Sequence, residues 1–153
     1  MTGMSNSLAH LRRSVAVCSL AWLILACASP TGPTSVHDIL AHRAVWDSQR
    51  LADYSYTYQT FGGFLSHPPG PLQIEVRGDT VRAVVDLATG DSLVATYLPT
   101  IDALFDRALA AAENGSLTGI VFDRVRGYPT RLAYAAVPDK MQSEQASSVQ
   151  PIP

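Results

Sequence analysis

The stretch YSYTYQTF, residues 54–61, alternates aromatic residues with hydroxylated and amide residues at a period of two. That is the pattern of a half-buried β-strand. Tyr54, Tyr56 and Tyr58 share one face of it. Gly62 to Pro71 follows with three glycines and three prolines and reads as a loop. LQIEVR, residues 72–77, alternates cleanly and is a second strand. Gly78-Asp79 then makes a tight two-residue turn, and Thr80 to Asp86 returns as a third strand. Beyond it Thr89-Gly90-Asp91 is a turn, and Ser92 to Tyr97 reads as a short strand or as loop.

A helix lies on each side of this meander. Upstream, Ser35-Val36-His37-Asp38 has the form of a capping box, with Asp in the place of the usual Glu. It predicts a helix from Val36 to Leu51, with Ile39, Leu40, Ala44, Trp46 and Leu51 on a broad apolar face. Downstream, Pro99-Thr100 opens the better helix. Ile101, Leu104, Phe105, Ala108, Leu109 and Ala112 fall at i, i+3, i+4, i+7, i+8 and i+11, the stripe of a helix lying on a core. Asp102 complements the dipole in its first turn, and Asn114-Gly115 ends it. Leu117–Phe122 and Thr130–Val137 are two more strands, joined through Gly127-Tyr128-Pro129. From Pro138 the chain turns polar, and residues 138–153 read as a disordered tail. The expectation is an α+β domain over residues 36–137. It has a single antiparallel sheet of about five strands with two helices on one face, in the order α-β-β-β-α-β-β.

The N-terminus reads differently. Arg12 and Arg13 precede a nearly uninterrupted apolar segment from Ser14 to Leu25. A helix of that length rises about 18 Å, short of the roughly 30 Å of a bilayer core, and has the size of a secretory h-region. It ends in Ile24-Leu25-Ala26-Cys27, the form of a lipobox. Cleavage before Cys27 leaves a thiol that carries a diacylglycerol; an ordinary signal would instead be cut after Ala26 or Ala28. On the first reading residues 1–26 are a signal peptide, Cys27 is the lipidation site, and residues 27–35 are a tether. Ala28 in place of Asp then points to outer-membrane sorting. The partner implied is the lipid bilayer, through acylated Cys27, with an envelope protein as a further one.

The sequence holds 153 residues and a formal charge of −2; loss of residues 1–26 takes away Arg12 and Arg13 and leaves 127 residues at −4. One domain is the size expected. No basic cluster suggests nucleic acid. The two cysteines are Cys18, in the leader, and Cys27. The folded part therefore has no disulfide, thiolate metal site or thiol chemistry, and no cofactor is expected.

Trp46, Tyr54-x-Tyr56, Pro99-Thr100-Ile101-Asp102-x-Leu104-Phe105, Val121-Phe122-Asp123 and Gly127-Tyr128-Pro129-Thr130 together resemble a family of small bacterial secreted lipoproteins. That family is known only as a domain of unknown function. The resemblance runs from about Ala41 to Ala136 and implies an envelope location and this element order, but no activity. Relatives carry cysteines after the Tyr-x-Tyr strand, where this chain has Phe61-Gly62-Gly63-Phe64. They end in an acidic strand, where this chain runs into Pro138-Asp139-Lys140.

Candidate sites are few. Asp102 and Asp106, at i and i+4, form either a carboxylate pair or a solvated helix face. His37 and His42, five apart, miss a common helix face and so the spacing of a metal pair. His67 has no partner in sequence, and Ser66 and Ser116 lack a nucleophile elbow. Arg77-Gly78-Asp79 matches an adhesion tripeptide but is explained as a hairpin turn. Tyr54, Tyr56, Tyr58 and Tyr128 are a possible binding surface if they face solvent, and core if they face the helices. The functional expectation is a membrane-anchored, non-enzymatic binding domain. The alternative is an envelope enzyme or inhibitor with a site assembled from Asp86, Asp123 and Arg131.

Overall fold

The structure, a computed structural model, describes residues 34–62, 70–95, 97–137 and 140–153. Cys27, the leader, Ser66 and His67 lie outside the described residues. Among the described residues two helices and six strands follow one another as α1 (Val36–Ser48), β1 (Tyr54–Gly62), β2 (Leu72–Arg77), β3 (Thr80–Asp86), α2 (Ile101–Glu113), β4 (Leu117–Phe122), β5 (Pro129–Val137) and β6 (Lys140–Pro151). The strands form one sheet in the order β3-β2-β1-β6-β5-β4, and every neighbouring pair is antiparallel. Each helix is thus followed by a three-stranded meander. The first meander runs from the centre of the sheet to its edge, and the second runs from the other edge back to the centre.

The α+β class, the single antiparallel sheet and the two helices agree with the sequence. The strand count does not. Residues 140–151, expected to be a disordered tail, form β6, the longest strand, between β1 and β5. The order is therefore α-β-β-β-α-β-β-β. Composition misleads here because β6 needs little apolar bulk of its own. Ala146 stands opposite Tyr58, and Glu144 stands opposite Thr60 and Leu132. The large side chains of the flanking strands fill the space above a small residue and a paired acid. An extra residue near Ser148, which has φ +55°, also breaks the alternation. Glu144, Ala146 and Val149 are all buried at spacings of two and then three.

The local signals at the helix ends are realised. Ser35 and Asp38 close the capping box reciprocally, and α1 ends at Ser48 rather than Leu51. The Thr100 hydroxyl accepts from the Ala103 N–H at the start of α2. Asn114 caps its end, ahead of Gly115 at φ +74°. Gly78 and Asp79 both have positive φ, the two-residue turn that matches strand twist. Among the described residues the segment after β3 contributes a single bridge, Val85 to Ser92, rather than a strand.

The core lies between the sheet and the helices. Tyr54, Tyr56, Leu72, Ile74 and Val76 meet Ile39, Trp46, Ile101, Leu104 and Phe105 in one apolar cluster. Gly127 locks the β4–β5 loop onto α1. A Cβ there would come within 2.6 Å of the His42 carbonyl oxygen, so the close approach, like its φ of +79°, needs glycine.

Candidate functional site

The row of tyrosines expected as a possible surface is interior. Tyr54, Tyr56 and Tyr58 are at most 1 % exposed and Tyr128 is 5 % exposed. The correction has a simple cause: the helices cover that face of β1, and burying three large rings there supplies much of the apolar core. The rings pack edge-on and tilted, Trp46 on Tyr54, Tyr54 on Tyr56, and Tyr56 on Tyr58, with centroids 5.4, 6.0 and 6.4 Å apart. Trp46 also meets Tyr128 edge-on at 6.0 Å.

Buried hydroxyls need partners, and these find them in two different ways. The Tyr54 hydroxyl accepts from the Ile101 N–H at 3.0 Å, and the Tyr56 hydroxyl donates to the Pro99 carbonyl. Both therefore hold the start of α2. The pKa of the Tyr128 phenol is raised chiefly by its burial. Tyr58 instead donates to the Glu144 carboxylate at 2.9 Å.

Glu144 is the densest polar constellation among the described residues, and its side chain is fully buried. Besides Tyr58 it accepts from Arg107 Nη1 at 2.7 Å, Tyr134 Oη at 2.6 Å and Gln142 Nε2 at 3.3 Å. Strands β1, β5 and β6 and helix α2 each contribute. Burial pushes the Tyr58 and Tyr134 phenols up, and the Glu144 charge adds to it. Burial alone would lower the Arg107 pKa, but Glu144 outweighs it and holds the guanidinium charged. Thr60, opposite Glu144, keeps a buried hydroxyl with no partner among the described residues. A shallow groove of about 280 Å³ opens beside the cluster, lined by Arg107, Asn114, Ser116 and Tyr134. Four donors occupy the Glu144 oxygens, so in this arrangement the carboxylate fixes charge in place rather than offering a free base.

Sequence reasoning missed this cluster because Glu144 fell in the supposed tail. An acid flanked by polar residues carries no sign of burial. The available signal was length: the Lys140–Gln150 run is proline-free and long enough for a full strand.

The other candidates are placed as follows. Asp102 and Asp106 meet Arg43 of α1, at 4.0 and 2.7 Å, in an inter-helix ion pair. Burial raises the Asp102 pKa against the opposing pull of Trp46 and Arg43. Arg77 is engaged by Glu75 at 2.9 Å and Asp53 at 3.5 Å, and Asp53 also accepts from the Gly78 N–H, so the tripeptide is a braced hairpin. His42 stacks on Phe122, with centroids 4.0 Å apart and an interplanar angle of 9°. Asp86 closes β3 and Asp123 follows β4, at opposite edges of the six-stranded sheet. Five strand spacings, about 24 Å, separate those edges, so the structure does not bring Asp86, Asp123 and Arg131 together. The Asp123 carboxylate accepts from the Val125 and Arg126 N–H groups of its own loop. Among the described residues no cluster of three or more His, Cys, Asp or Glu could hold a metal ion. None of the described helices is long and apolar enough to cross a membrane.

A second groove, of about 550 Å³, runs between the start of α1 and β4. His42 and Phe122 line it together with Thr34, where the described chain begins.

No curated protein matches the chain. Residues 38–146 match a family of unknown function, DUF6174, from the first turn of α1 to the middle of β6. That span holds the tyrosine row, both helices and Glu144, and the chain belongs to this family.

Proposed function

We propose that the chain is a lipid-anchored domain of the bacterial cell envelope that acts by binding a partner rather than by catalysis. The observation that carries this reading is Ile24-Leu25-Ala26-Cys27 closing a short apolar segment behind Arg12-Arg13. Cys27 receives the diacylglycerol, further acylation makes the anchor stable, and Ala28 favours outer-membrane sorting. The engagement of the buried carboxylate supports binding over catalysis. Glu144 is held by four donors, and the carboxylates proposed for a dispersed site sit at opposite sheet edges. Among the described residues a partner finds surface in grooves such as the two above and on the sheet face away from the helices, where Gln145 and Ser147 are exposed.

Cys27→Ser tests the anchor in cells labelled with a palmitate analogue. The variant should lose the label and either accumulate unprocessed or leave the membrane fraction. Unchanged labelling and sedimentation would overturn the reading.

A further inference from the structure

The groove between α1 and β4 has a neighbour that gives it direction. The β4–β5 loop, Asp123–Tyr128, passes beside it, with Arg124 on the groove wall. Val121, also on that wall, is 54 % exposed, and Val125 at the loop tip is 84 % exposed. Arg124 and Arg126 flank Val125 directly. Two acids lie nearby and keep their charge, Asp38 on the groove wall and Asp123 at the base of the loop, but each is turned to donors of its own segment. Asp38 is bound to Ser35, which lowers its pKa, and Asp123 is bound to its own loop. The result is two free aliphatic side chains beside two guanidinium groups, in a domain of net negative charge.

We propose that this loop and groove are the face with which the domain rests on its bilayer, Val121 and Val125 entering the headgroup–acyl boundary and Arg124 and Arg126 meeting anionic lipid phosphates. The proposal rests on the lipid-anchor reading, because the length of the connection selects this face. Thr34 lines the groove, and it follows Cys27 by seven residues. Seven fully extended residues reach at most about 25 Å. A domain of roughly 120 residues is about 35 Å across. The anchor therefore cannot turn the opposite pole toward the membrane, and it keeps the Thr34 side nearest to it. Aliphatic side chains set among arginines are the chemistry of an interfacial contact with anionic lipid.

The test uses the full-length acylated protein, recovered from membranes and reconstituted into vesicles of phosphatidylethanolamine and brominated phosphatidylglycerol. Val125→Trp places a reporter at the loop. Val94→Trp is the control, since Val94 is just as exposed, at 81 %, but lies in the β3–α2 connection. Bromine should quench Val125→Trp emission at least about twofold more than Val94→Trp, as insertion at the acyl boundary requires. Arg124→Glu with Arg126→Glu should abolish the difference. Equal quenching of both reporters in vesicles that carry the protein would overturn the docking face and leave the anchor standing. Protein that does not float with the vesicles would overturn both.

Discussion

Tyr54 and Tyr56 at one end of β1 and Tyr58 further along it face the same core and carry the same phenol. At the first end the hydroxyls meet backbone, the Ile101 N–H and the Pro99 carbonyl, and pin the start of α2 to the sheet. At the second end the hydroxyl meets a charge, Glu144, which Arg107 and Tyr134 share. One end is therefore apolar packing with single, irreplaceable hydrogen bonds. The other is a network in which each bond has alternatives. A row of identical residues is thus no guide to identical roles; the neighbouring strand and helix decide what each hydroxyl does.

The largest expected effect treats both ends together. Burial raises the pKa of Tyr54, Tyr56 and Tyr58 above the usual value of 10.0. The folded state thus keeps protons that the unfolded chain releases above about pH 10. Stability from this source is complete below that pH and is lost as pH rises. Each such phenol removes about 1.4 kcal/mol per pH unit, and three remove about 4, a large part of a small domain's stability. Tyrosinate absorbance should therefore appear cooperatively, together with loss of near-ultraviolet circular dichroism, within about one unit above pH 10. Gradual titration in a domain that stays folded would mean that the row is open to solvent.

The next effect separates the ends. Glu144→Ala removes the hub of the charged end and strands the Tyr58 hydroxyl and the Arg107 guanidinium. Breaking a buried pair costs 3–5 kcal/mol as a rule. The Arg107 side chain is 38 % exposed and can regain water, so a loss of about 3 kcal/mol is expected by urea unfolding. Glu144→Gln, which keeps an acceptor, should lose less. Adding Arg107→Leu to Glu144→Leu should recover part of the loss, because no charge is then left unpaired. A loss below about 1 kcal/mol for Glu144→Ala would place the carboxylate in water.

The two ends also differ in how far the sequence exposes them. The apolar end was legible: alternation in 54–61 gave β1, the i, i+3, i+4 stripe gave α2, and Ser35 and Thr100 marked the caps. Each is a local signal, set by backbone geometry within a few residues. Whether Tyr54, Tyr56 and Tyr58 faced helix or solvent was not legible, since alternation defines a face without saying what covers it. The charged end was invisible. Glu144 is buried only because β6 enters the middle of the sheet beside Tyr58 and Leu132, contacts made across 86 and 12 residues of chain. Composition marks such a strand as tail, because its bulk is supplied by its neighbours.

The smallest effect is the sharpest comparison. Tyr56→Phe and Tyr58→Phe each delete one hydroxyl from the same face of the same strand. Tyr56→Phe leaves the Pro99 carbonyl without its donor in a buried position, which costs about 2 kcal/mol. Tyr58→Phe leaves Glu144 with Arg107, Tyr134 and Gln142 still donating, so less than about 1 kcal/mol should be lost. Parallel urea titrations of the two variants measure the difference, since their apolar burial is the same. Equal losses would show that the charged end lacks redundancy. A larger loss for Tyr58→Phe would show that Glu144 depends on that phenol more than α2 depends on Tyr56.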